Sequence, residues 1–244
     1  MSKEFLFTGE RAVPNESCPK GIFKEHLDRY LFAKDFVKEK VVLDIACGVG
    51  YGSFELKKTG AKRVFGGYIS KEAVEFAKEN YELRDLTFEV MGCESIPLKD
   101  KSIDVVVSFE TIEHIPNYLR FLKEAKRVLK KDGIFICSSP NAPITSPFSK
   151  LSEYHIKEFS IPELMKMLEK EGFKKIGVHG QIKVKKDFKF YLKSFIGSYL
   201  PFLVKTFRMI KKKKESSEKE DTKIFKMPIK KGYAPKYFIL VCKI

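Results

Sequence analysis

Two groups of residues in this 244-residue chain have types and spacing that can do chemistry. The first is the run Asp44-Ile45-Ala46-Cys47-Gly48-Val49-Gly50-Tyr51-Gly52. Small residues in a turn between a strand and a helix let the backbone approach a nucleotide-like ligand closely. The second is a pair of histidines: His114, which follows an apolar strand-like run, and His155, which sits in a loop ahead of a helix. An imidazole titrates near neutral pH and can take the proton of a reacting hydroxyl, so both are candidate general bases. Glu110 and Glu113 lie beside His114 and either line the same site or cap the next helix. No Ser/His/Asp arrangement and no Cys/His cluster stands out, and the five cysteines are scattered without a CxxC pair. Hydrolysis, a metal site and a disulfide framework are therefore not expected, and a reducing, cytoplasmic setting fits.

These groups need a scaffold. Val41-Val42-Leu43-Asp44-Ile45 is a short apolar run ending in the small-residue turn, as a buried parallel strand entering a helix would be. Further strands are predicted at Arg63 to Tyr68, Leu86 to Met91, Ile103 to Ser108, Gly133 to Ser138, Phe173 to Val178 and Tyr237 to Cys242. Helices are predicted at 22–38, Ser53 to Lys58, after the N-cap Ser70, Asn117 to Lys130, and from Ile161-Pro162 to Gly172. Strands alternating with helices imply an α/β fold: a Rossmann-like, seven-stranded, mostly parallel sheet with helices on both faces. The expected organisation is one domain over 1–244, with an arm and helix at 1–38 and a core at 39–180. A basic and aromatic insertion at 181–235 and a last strand at 236–244 complete it.

The net charge of +15 is unevenly placed. Residues from Gln181 to Ile244 carry 18 Lys/Arg against 5 Asp/Glu, so the first 180 residues are nearly neutral. Within the insertion, 188–214 interleaves Phe, Tyr and Leu with Lys and runs into Lys211-Lys212-Lys213-Lys214. That pattern suits an anionic membrane surface, a lid, or a homodimer contact. No RNA-binding motif accompanies it, so a nucleic-acid partner is not expected. The amino terminus lacks the basic-then-apolar pattern of a signal peptide, and no apolar run is long enough to span a bilayer. The expected location is cytoplasmic, peripheral at the membrane if the insertion docks there.

Several segments together resemble a known family. The glycine loop, the segment Phe109-Glu110-Thr111-Ile112-Glu113-His114-Ile115, Phe121 to Pro140, and His155 to Ser160 with Glu171-Gly172-Phe173 are similar to class I S-adenosylmethionine (SAM) methyltransferases of the type 11/12 kind. Thr8 to Pro14 and His26 to Tyr30 resemble the entry segment of members that modify sugars, glycans or lipids. The resemblance implies SAM as cofactor and S-adenosylhomocysteine (SAH) as product. Asp44 matches the family's acid near the amino acid end of SAM, and Ala46, Gly48 and Gly50 match the small positions under the adenosine. Cys47 and Tyr51 share that loop; Tyr68, Ile69, Gly92, Cys93, Glu94, Phe109 and Glu110 occupy the other cofactor positions.

Two positions depart from the pattern. The family ends its second strand with an acid that accepts hydrogen bonds from both ribose hydroxyls; here Tyr68 stands there. A phenol cannot accept two such bonds as an anion. The acid that precedes the small residue in the adenine segment is replaced by Gly92, or by Cys93 under a one-residue shift. Three readings follow: a SAM-dependent methyltransferase acting at O or N of a small sugar, glycan or lipid-linked acceptor; a relative with altered or lost SAM binding that serves as a scaffold; and an RNA methyltransferase.

Overall fold

The computed structural model describes residues 12–15, 17–147, 152–187, 190, 191, 194 and 221–244. Most of the stretch 188–214, read above as a membrane, lid or dimer contact, lies outside the described residues, as does the start of the Thr8 to Pro14 segment.

The chain builds α1 (Lys20–Val37), β1 (Val41–Ile45), α2 (Tyr51–Lys58), β2 (Arg63–Tyr68), α3 (Lys71–Asn80), β3 (Leu86–Val90) and β4 (Ile103–Phe109). A short 3-10 turn (Ile112–His114), α4 (Tyr118–Val128), β5 (Leu129–Pro140), α5 (Ala142–Thr145), α6 (Ile161–Lys170), β6 (Lys174–Lys185), β7 (Ile224–Lys226) and β8 (Tyr233–Lys243) follow. The sheet runs β3-β2-β1-β4-β5-β8-β6-β7. Strands β1 to β5 pair in parallel; β8 is antiparallel to both β5 and β6, and β7 is antiparallel to β6.

The α/β sheet agrees with expectation, but it has eight strands rather than seven. The added strand β7 and the outer half of β6 come from the region read as an insertion. Lys183 to Lys185 pair with Tyr233 to Pro235, and Gln181 pairs with Ile224. The Asp132-Gly133 turn lies inside β5 as an irregularity, with Asp132 at φ 65°.

Strand alternation decides what each face buries. In β1, Leu43 and Ile45 join the layer of Phe121, Phe135, Phe159 and Leu240, under α4 and α6. Val42 faces the opposite layer with Tyr30, Ala33 and Leu56, under α1 and α2. Asp44 has the parity of Val42 and so points toward α1 and α2, not toward the end of the sheet. Caps fix where helices start beside the site. The Ser70 Oγ accepts from Ala73 N at 3.2 Å, and Asn117 Oδ1 accepts from Arg120 N at 3.2 Å.

Candidate active site

A cleft of about 930 Å³ opens at the carboxyl ends of β1, β2 and β4. This is where an open α/β sheet places its ligands. Its floor is the small-residue turn. Ala46 (φ 67°) and Gly48 (φ 60°) both take left-handed backbone, and Ala46, Cys47, Gly48 and Tyr51 line the cavity. Gly50 and Asp44 do not line it; they support the turn from beneath. Gly50 is the N-cap of α2 at φ 91°, and a Cβ there would meet Ala77 Cβ at 2.6 Å. Asp44 is fully buried, accepting from Ser53 Oγ at 2.6 Å and Tyr30 Oη at 3.3 Å. Burial pushes its carboxyl up to about 7, against the pull of those two hydroxyls.

One wall comes from the ends of β2 and β3: Tyr68, Ile69, Met91, Gly92, Cys93 and Glu94. Ile69 is 74% exposed, an apolar side chain left at the rim where a flat ring could cover it. A Cβ built on Gly92 meets nothing within 4 Å, so packing does not impose glycine there. Glu94 Oε1 accepts from Asn117 N at 3.1 Å and is tied to the start of α4. Burial pushes the Cys93 thiol up to about 12, which disfavours its thiolate.

The other end gathers acids and imidazoles. Glu110, at φ 49°, accepts from Ser138 Oγ at 2.6 Å and lies 3.7 Å from Arg29 Nη2. Arg29 is 1% exposed and stacks on Tyr237 at 4.7 Å. Ala46 and Glu110 are two of the seven non-glycine residues with positive φ among the described residues, and both line the cleft. Glu113 is completely buried; burial and the neighbouring Glu110 charge push its carboxyl well above the ordinary range. The Glu113 carbonyl accepts from Ile156 N at 2.8 Å and Lys157 N at 3.1 Å, which docks the 152–158 loop on the 3-10 turn. That docking brings His155 to His114, with ring centroids 4.9 Å apart and edge to face.

The structure therefore brings His114 and His155 together, and Phe109, Glu110, Tyr68, Ile69, Gly92, Cys93 and Glu94 line the same cleft. Sequence reasoning missed the contribution of α1, whose Ile22, Glu25, His26 and Tyr30 also line the cavity. Their helical spacing was the available signal: a stripe carrying Glu, His and Tyr is a poor core stripe. Burial, with Arg29 nearby, lowers His26 to about 3, so it faces the cleft neutral. Lys236 and Tyr237, at the start of the β8 stretch facing β5, were missed as well.

An open sheet in this order, with its cleft at the carboxyl ends of the central strands, is the fold of class I methyltransferases. Residues 43–137 match the methyltransferase domain family, and the fold of the chain is that of SAM-dependent methyltransferase structures. It is 33% identical over 168 residues to a Mycolicibacterium smegmatis protein named "Probable S-adenosylmethionine-dependent methyltransferase", covering 68% of this chain and 64% of that one. It is 30% identical over 124 residues to the phthiotriol/phenolphthiotriol dimycocerosates methyltransferase of Mycobacterium tuberculosis, covering 50% of this chain and 46% of that one. This chain thus spans less than two thirds of the length of these relatives. A SAM-dependent methyltransferase structure from Thermotoga maritima superposes with a TM-score of 0.62 at 22% identity, covering 91% of each chain. Among the described residues no helix is long and apolar enough to cross a membrane.

Proposed function

We propose that this protein transfers a methyl group from SAM to an oxygen or nitrogen of a small polar acceptor, a sugar, glycan or lipid-linked intermediate, leaving SAH. The observation that carries this reading is the two-ended cleft. A left-handed small-residue turn and an apolar rim occupy one end, and buried acids and paired imidazoles the other. The residues fit the cofactor: the turn at Ala46 to Gly48 leaves backbone facing the cavity, and Gly92 leaves open space beside it. When bound, SAM supplies an already activated methyl group, so alignment of the acceptor accounts for much of the rate. The chain's part is to hold that alignment and to manage the proton of a hydroxyl acceptor. The wall formed by half-buried His114 and exposed Tyr154 is where an acceptor would meet both imidazoles. The lipid-modifying relative from Mycobacterium tuberculosis supports an acceptor that carries an apolar portion.

Titration calorimetry with SAH separates this reading from a scaffold that has lost the cofactor. The expected result is saturable binding; none at millimolar SAH sinks the enzyme reading. Tyr68→Asp is expected to tighten SAH binding about tenfold or more, because a carboxylate accepting ribose hydroxyls gains about 1.5–3 kcal/mol. Weaker binding in that variant would instead make the Tyr68 ring a part of the cofactor wall.

A further inference from the structure

We propose that Glu113, His114 and His155 form a binding site for a divalent transition-metal ion at the acceptor end of the cleft. Each residue offers one donor atom, and the three atoms lie within 4.8 Å of one another. The sequence reading expected no metal, because no Cys/His or metal-ligand cluster stands out along the chain. The docking of the 152–158 loop on the Glu113 carbonyl creates the cluster.

Three observations point to a cation. The first is Glu113 itself. Its Oε2 accepts from Ser139 Oγ at 3.2 Å, but its Oε1 is buried without a hydrogen-bond partner among the described residues. A buried carboxylate oxygen left unpaired is costly. Protonation does not remove that cost. A hydroxyl on Oε1 would face His114 Nε2 at 4.0 Å, beyond hydrogen-bond reach. A metal ion would engage both groups.

The second is the way each imidazole is held. His114 Nδ1 lies 3.0 Å from the Tyr154 carbonyl oxygen, and His155 Nδ1 lies 2.6 Å from Glu158 Oε1. An oxygen acceptor at Nδ1 places the ring proton there and the lone pair on Nε2, which is how metal-ligating histidines are oriented. Glu158 is itself fixed, accepting from Ser146 Oγ at 2.8 Å and from Thr145 Oγ1.

The third is exposure. Glu113 is sealed, whereas the His114 and His155 side chains are 28% and 16% exposed. A metal held by these three would keep its open position toward the cleft, the arrangement of a catalytic rather than a structural site. Two imidazoles with one carboxylate suit zinc, manganese, iron(II) or cobalt(II) better than magnesium or calcium, which prefer all-oxygen shells. Bonds of about 2.0–2.2 Å would draw the donors closer together, by side-chain rotation within the cluster.

The use of this ion rests on the methyl-transfer reading; its binding does not. An acceptor hydroxyl oxygen would take the open position and release its proton to water. The resulting metal-bound oxygen forms the new O–C bond as the S–C bond breaks, with that electron pair staying on sulfur. Serving as ligands, the imidazoles are then not the base.

The test is titration of metal-free protein with cobalt(II), read by its visible absorption and by calorimetry. One ion per chain is expected, with the bands of a low-coordinate nitrogen and oxygen site. Glu113→Gln and His155→Asn should each weaken cobalt binding more than ~100-fold. Glu158→Gln, which keeps all three ligands and only loosens His155, should weaken it about 10–100-fold, as outer partners do. Thermal unfolding and SAH titration of the same preparations confirm that each variant is folded. No cobalt binding at millimolar ion, or unchanged binding in the folded ligand variants, overturns the site. Cobalt bound without SAH binding leaves the site standing and removes the methyl-transfer reading; SAH bound without cobalt does the reverse.

Discussion

Gly52→Ala is expected to lower the unfolding free energy by about 2–4 kcal/mol, although alanine is the better helix former. The substitution falls in α2 (Tyr51–Lys58), where exchanging glycine for alanine normally gains about 1 kcal/mol. Here a Cβ would lie 2.0 Å from Tyr30 Cζ and 2.3 Å from Cε2. The ring cannot step aside. It stands edge-on to Tyr51 at 5.8 Å and to Phe109 at 5.1 Å, and it is only 6% exposed. Helix α1 must lift instead, at an overpacking cost of about 1–3 kcal/mol. Lifting it also withdraws the Tyr30 hydroxyl from buried Asp44, a further loss of about 1–3 kcal/mol. The two costs outweigh the helix gain. Urea unfolding measures the net loss, and a double-mutant cycle identifies its cause. With Tyr30→Ala already in place, Gly52→Ala should become neutral or stabilising. A Gly52→Ala penalty of the same size in both backgrounds would mean that the contact with Tyr30 is not the reason for glycine at this position.

That contact also shows what the sequence could convey and what it could not. The glycine loop, the five parallel strands and the Ser70 cap were legible because each is written in a contiguous stretch. A run of apolar residues, small residues behind it, and a serine three residues before an amide all act locally. Strand β7 was not legible. Three residues, Ile224–Lys226, carry no periodicity, and they become a strand only because β6 offers an open edge. The extension of β6 to Lys185 is similar, since it depends on Tyr233 to Pro235 returning alongside. At the site, Tyr68 and Gly92 could be aligned by position, whereas the meeting of His114 with His155 required the loop to dock. Asp44 was identified as a functional acid, but its orientation follows from strand parity. It faces Tyr30 and Ser53 under the turn rather than the cavity. A reading that included the parity of Val42 and Leu43 would have placed it there.

Asp44→Asn is expected to make the protein more stable at pH 8 and to leave stability nearly unchanged at pH 4. The carboxyl titrates near 3.8 in the unfolded chain and is pushed up to about 7 in the fold, first by burial, with the Ser53 and Tyr30 hydroxyls opposing. A folded value raised above the unfolded one means that the native state holds the extra proton between those two values. Its stability contribution is therefore fully present below about pH 4 and is lost as pH rises to about 7. Three units correspond to roughly 4 kcal/mol at most, and hydroxyl bonds remade by the asparagine amide alter that, so about 2–4 kcal/mol is expected. His26 shifts the opposite way, so its effect is lost as pH falls, and it cancels in the difference between variant and wild type. Chemical unfolding of both proteins across pH 4 to 8 measures this difference directly. A difference that stays flat with pH would show that burial does not hold Asp44 protonated between about pH 4 and pH 7. The same variant should also bind SAH more weakly, because the Tyr30 and Ser53 contacts to this carboxyl hold the Ala46 to Gly48 turn from beneath and an asparagine remakes only part of them. Gaining stability while losing ligand is the signature of a charge kept under the turn at a cost to the fold. Losing both would instead assign Asp44 a purely structural part, as the acceptor that ties α1 and α2 to β1.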